Sequence, residues 1–254
     1  MRFKRTFRLW LILATLLGLT WLGYGWRRSL DPALLNAVEI DPTRVPVLLA
    51  LGADPNIHRQ DGTPALMIAA RNGDTAGVEA LLKHGADVNA QGPGGRTALM
   101  EAAAPWFTNP TTGSTLFWQW SEYPRIVSML LVKGARLNTR DARGYIAWTL
   151  AAERGQLRAM SILLNHGADV NEQDPRGWTA LMWAASSGWP DLVRLLLAQG
   201  ANPNLRAKDG TTAFSLAEQP GIFPNEKWRH PIIVRLLRQA GARVRRQKAT
   251  ASVR

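Results

Sequence analysis

The hydrophobic pattern divides the chain into two regimes. From Leu9 to Trp26 it reads LWLILATLLGLTWLGYGW, 18 residues without a charge. From about residue 31 apolar residues return instead at helical spacing, in short runs broken by Gly, Asn and Asp. In one set of runs, Val78, Val127, Met160, Val193 and Val234 each stand seven places before a glycine, with Leu four and usually three places before it. Those positions fall on one face of a helix. A second set carries alanine pairs, Ala69-Ala70, Ala102-Ala103, Ala151-Ala152 and Ala184-Ala185, small enough to let neighbouring helices approach. The pattern predicts short helices in alternating pairs, none of which buries its apolar face alone.

The glycines behind these runs are Gly52, Gly85, Gly134, Gly167, Gly200 and Gly241, at intervals of 33, 49, 33, 33 and 41 residues. Around them recurs one phrase: LALGADPN, LKHGADVN, LVKGARLN, LNHGADVN, LAQGANPN. Upstream recurs a second: GTPALMIAA, GRTALMEAA, GYIAWTLAA, GWTALMWAA, GTTAFSLAE. Two phrases in phase at a 33-residue period resemble the ankyrin repeat. The resemblance implies an all-α repeat solenoid, each unit a β-turn finger followed by two antiparallel helices. It covers a half-unit at 31–57 and units at about 58–90, 91–139, 140–172, 173–205 and 206–243. Each glycine is expected at the left-handed position that ends the second helix. The Asn four places on (Asn56, Asn89, Asn138, Asn171, Asn204) suits a turn into the finger. Glu218 and Arg238 place charge where no further unit follows, as a terminal cap requires. Residues 244–254 read as a basic, disordered tail.

The segment 9–26 is long enough, at 1.5 Å per residue, to span about 27 Å of a hydrocarbon core of roughly 30 Å. The basic flank 1–8 precedes it and Arg27-Arg28 follow, with Trp10 at one end and Trp21, Tyr24 and Trp26 at the other. This predicts a transmembrane helix or signal anchor with a cytoplasmic N-terminus and exported repeats, periplasmic if the source is bacterial. Cleavage after Gly25, releasing a soluble exported protein, is the alternative. Asp31-Pro32 reads as the cap and first position of the next helix.

The net charge of +12 belongs to the ends. Residues 1–28 hold six Arg and Lys and residues 229–254 hold eight, with no acid in either stretch. The other 17 basic residues (31 less those two groups) meet all 19 acids. A basic groove for nucleic acid along the body is therefore not expected. The absence of cysteine removes disulfides, thiolate metal sites and cysteine nucleophiles. No GxSxG elbow, GxxxxGK[ST] loop, HExxH or acidic calcium loop is present. His84 and His166 each precede a terminating glycine, a place for an imidazole on the last carbonyls of a helix rather than on a metal. These readings predict no enzyme, no cofactor, no metal and no small-molecule substrate.

The resemblance implies a protein partner at the fingers and the exposed face of the first helices. Positions that vary between units there are Arg96, Arg143, Tyr145, Glu153, Arg154, Arg176, Trp178, Ser186 and Ser187. Trp178 suits either an interface anchor or a filler packed against Tyr145. A second candidate surface comes from the surplus residues between paired helices, with Trp106, Trp118, Trp120, Phe223 and Trp228, and Trp189 at the matching junction. Those rings either dock a partner or the bilayer interface, or fold back onto helix ends. The function expected is a membrane-tethered interaction module, scaffold or inhibitor. The alternatives are a structural stabiliser of an envelope complex and attachment to anionic surfaces through the basic tail.

Overall fold

The computed structural model describes residues 30–105, 122–218 and 230–251. The expected segment 9–26, and Trp106, Trp118, Trp120, Phe223 and Trp228, lie outside the described residues. Among the described residues no helix is long and apolar enough to cross a membrane.

The elements follow the predicted alternation. Helix α1 covers 30–40 and α2 Val45–Ala50, the half-unit. The pairs that follow are α3 (Ala65–Asn72) with α4 (Thr75–Lys83), and α5 (Ala98–Ala103) with α6 (Glu122–Val132). Next come α7 (Ala147–Glu153) with α8 (Leu157–Asn165), α9 (Ala180–Ser186) with α10 (Pro190–Ala198), and α11 (Ala213–Glu218) with α12 (Pro231–Ala251). All but α12 are too short to persist alone in water, so the fold depends on their packing. Among the described residues the only β pairing is two single bridges, His58 with Pro64 and Gln91 with Thr97, at finger bases.

The helices form two layers. First helices stack in the order α3, α5, α7, α9, α11, and second helices in the order α2, α4, α6, α8, α10, α12. The paired alanines lie between first helices with no exposed surface, so side-chain bulk there does not hold neighbouring first helices apart. Val78, Val127, Val193 and the buried leucines four before each glycine line the seam between layers. Local signals set the ends. Thr97 and Thr179 accept from the amides of Met100 and Met182 at 3.4 and 3.3 Å, and Asp74 caps α4 by accepting from Gly77 N–H at 2.9 Å.

Gly52, Gly85, Gly134, Gly167 and Gly200 end second helices at φ between 86° and 98°, as expected. Gly241 does not. Helix α12 passes through it to Ala251, so the unit boundary at 243 and most of the tail expected to be disordered, 244–254, are corrected to helix. The sequence differs there: each other glycine is followed by an Asn four places on, and all but Gly134 also by an Asp or Asn two places on, whereas Arg243 and Arg245 hold those places after Gly241. The other end also differs. Helix α1 already includes residue 30, and the Asp31 carboxylate, rather than capping its own helix, accepts from Asp54 N–H at 3.0 Å.

The repeating Asn has a larger role than turning the chain. Asn56 donates to the Gly85 carbonyl and accepts from Asp87 N–H, at 3.3 and 2.7 Å. Asn89 does the same toward Gly134 and Arg136, at 3.2 and 2.8 Å, and Asn171 accepts from Asn202 N–H at 2.8 Å. Each of these side chains stitches its unit to the next.

Candidate interaction surface

The fingers of the third and fourth units are built around a buried carboxylate. Asp141 accepts from the amides of Arg143 and Tyr145, both at 2.9 Å; Asp174 accepts from those of Arg176 and Trp178, at 2.9 and 2.8 Å. Gly144 and Gly177, at φ 81° and 82°, close the two turns, a backbone region that L side chains avoid. The result puts an arginine at each tip and an aromatic ring at each base.

The second oxygen of Asp174 accepts from the indole N–H of Trp183, on α9, at 3.1 Å. Trp183 then packs against Trp178 with centroids 4.8 Å apart and a 55° tilt. It meets Tyr145 of the preceding unit edge-on at 6.1 Å and 86°. Over these three half-buried rings lies the guanidinium of Arg176, its carbon 4.7 Å from the Trp183 centroid, 4.9 Å from Trp178 and 5.9 Å from Tyr145. Arg143 sits 5.1 Å over Tyr145, with the Asp141 carboxylate 3.6 Å away. The structure thus joins Arg143, Tyr145, Arg176 and Trp178 in one patch across two units. Trp178 both packs on its neighbours and stays partly open.

Trp183 is the member that sequence reasoning missed. It occupies a slot held by Ile68, Leu150 and Leu216 in other units, where a large apolar residue reads as core. The same slot in the second unit holds Glu101, 1% exposed. Arg71 reaches it at 3.2 Å and Arg96 at 2.7 Å, so Arg96 belongs to an ion cluster around a buried carboxylate. Glu153, Arg154, Ser186 and Ser187 lie half-buried at the C-terminal ends of α7 and α9, away from the finger tips.

At the opposite edge, Trp189 lies on Gly155 of the preceding unit, where an added Cβ would meet the ring at 2.4 Å. Its indole donates to the Glu153 carbonyl at 3.2 Å, yet it remains 38% exposed. Tyr123 repeats the arrangement over Gly73, its hydroxyl donating to the Arg71 carbonyl at 2.9 Å. Burial, and secondarily the charge of Glu101, push its phenol up to about 12. His230 covers Gly188 in the same way. All three stand four places before a Val of the second helix. His84 and His166 set Nδ1 2.9 and 2.8 Å from the carbonyls of Ala80 and Ile162 at their helix ends.

A family model described as ankyrin repeats (3 copies) matches residues 34–105, 118–207 and 150–248. The chain belongs to the ankyrin-repeat family. No curated protein matches the chain. Ankyrin repeats generally mediate protein–protein interaction, which fits a stack whose ankyrin fingers carry an aromatic and arginine patch on a rigid helical support.

Proposed function

We propose that this ankyrin-repeat chain is a non-enzymatic scaffold or inhibitor that holds a protein partner on its finger face while residues 9–26 tether it to a membrane. The observation that carries this reading is the Tyr145–Trp178–Trp183 cluster beneath Arg143 and Arg176. Trp, Tyr and Arg dominate interface hot spots because they bury large rigid surfaces and keep a polar edge. Here Asp174 fixes the rings in advance, which lowers the ordering cost on binding. The tether rests on the uncharged stretch with its basic flank and interfacial aromatics. No more than three residues lie between Trp26 and Leu30, which is already helical, a reach of at most about 14 Å. A chain anchored there holds its repeats against the bilayer surface.

The test is cross-linking in the native membrane, with the captured protein identified and the experiment repeated for Trp178→Ala and Arg176→Ala. Both substitutions are expected to reduce capture while the melting temperature stays nearly unchanged. Capture that survives both, with a lowered melting temperature, assigns the rings to packing alone. Intact-mass measurement of the extracted protein tests whether residues 1–25 remain, and so tests the tether.

A further inference from the structure

We infer that the partner presents an acidic segment, with a carboxylate received between Arg143 and Arg176; the inference rests on the finger-face reading above.

Three observations point to an anion. First, both guanidiniums lie against the Tyr145 ring, Arg143 at 5.1 Å and Arg176 at 5.9 Å from its centroid. Two like charges held against one ring repel each other, and an anion between them turns that repulsion into attraction. Second, the acids of these fingers are already committed. Asp141 and Asp174 are 6% and 5% exposed and bound to backbone amides, Asp141 also pairing with Arg143 at 3.6 Å, and Glu172 pairs with Arg140 at 2.8 Å. Among the described residues no carboxylate is within ion-pair distance of Arg176, and Asp209, bound to the Thr211 amide, is the exposed acid whose charge reaches it. Arg176, Arg206 and Lys208 outnumber the exposed Asp209, and Arg143 is opposed only by the buried Asp141, so the finger ridge of units three to five presents an exposed excess of positive charge. Third, three rings pack around the Arg176 guanidinium, its carbon 4.7 to 5.9 Å from their centroids, so its position is held in advance. A guanidinium so held can donate two parallel hydrogen bonds to a carboxylate from its planar fork. An ammonium in the same place lacks the fork.

The segment is expected to pair its acids with an aromatic or aliphatic residue that covers Trp178. Charge alone, on so exposed a ridge, is screened within about 8 Å at physiological salt, so the rings must supply part of the affinity.

The experiment uses the full chain in detergent and three dye-labelled decapeptides built on one Phe-containing sequence, with Glu, Gln or Lys at the same five positions. Fluorescence anisotropy is expected to detect the Glu peptide and to lose it as salt is raised. Arg176→Gln and Arg176→Lys should each weaken binding by about tenfold, since only the planar fork satisfies the site. Arg158→Gln, on the exposed side of α8, should leave it unchanged. The inference is overturned if the Gln or Lys peptide binds as well as the Glu peptide, if none binds, or if Arg176→Lys keeps full affinity. It is also overturned if a single-stranded oligonucleotide displaces the Glu peptide and binds more tightly, which would assign the ridge to phosphate. Native cross-linking separates the two levels. A partner captured through the Trp178 face but indifferent to the Glu peptide removes the acidic segment and keeps the surface, whereas loss of both removes the surface itself.

Discussion

One slot in the first helices decides most of what is individual about this molecule. Ile68, Leu150 and Leu216 keep it apolar; Glu101 and Trp183 do not. Trp183 gives the finger face its ring platform. Glu101 gives the stack a buried charge held by two arginines that are themselves 22% and 18% exposed. That asymmetry sets the expected response to substitution. Glu101→Leu leaves two cations that can turn to water, and should change the urea midpoint little. Arg71→Met combined with Arg96→Met strands a buried carboxylate and should cost about 3–5 kcal/mol in the same assay. A second residue carries a pH dependence. Burial raises the Asp74 carboxyl above its ordinary value of 3.8, against the pull of the Gly77 and Ala76 amides, and its Oδ2 has no hydrogen-bond partner among the described residues. The folded chain therefore holds this proton more tightly than the unfolded one. The stability so gained is complete below about pH 3.8 and is lost as pH rises through the raised value. Asp74→Asn keeps an acceptor for Gly77 N–H without the charge. Its thermal midpoint, relative to the parent chain, should improve on going from pH 3 to pH 7. Both Glu101 and Trp183 were visible in the sequence as departures within an aligned column; what was not visible was the partner thirty residues away, or the indole bond to Asp174.

At the scale of elements, the helices and most of their ends were legible because capping residues and left-handed glycines act over three or four residues. Contacts between units were not, since a side chain that bonds its own turn and one that bonds the next unit have the same sequence. The Asn column illustrates this. Asn89 makes two bonds to the following unit. Asn138 makes none among the described residues, in the one unit where Arg136 replaces the Asp or Asn that braces the Asn amide elsewhere. Asn89→Ala should thus cost about 1–3 kcal/mol in urea unfolding, and Asn138→Ala clearly less. Gly241 shows the reverse failure. Its spacing matched the other terminators, but the Asp or Asn and the Asn that follow most of them are replaced by Arg243 and Arg245, and the helix runs on.

The whole molecule is a stack in which each unit leans on its neighbours, so its stability is a sum of nearest-neighbour terms and its two ends are not equivalent. At the carboxyl end α12 continues past the place where another finger would begin, and Glu218, Arg235, Arg238 and Gln239 are exposed there beside Ile232, at 52%. At the amino end Ile40, Val47 and Leu51 are 71%, 59% and 53% exposed. An extra ankyrin unit placed directly ahead of residue 30 should therefore cover apolar surface and raise the urea midpoint. The same unit appended after Arg254 should hang from a helix it cannot dock against and leave the midpoint where it was. Equal gains at both ends would contradict this account. The run of α12 through Gly241 thus works as a full stop: the architecture is open to lengthening by duplication in one direction only, and two copies laid head to tail have no shared register in which to continue each other.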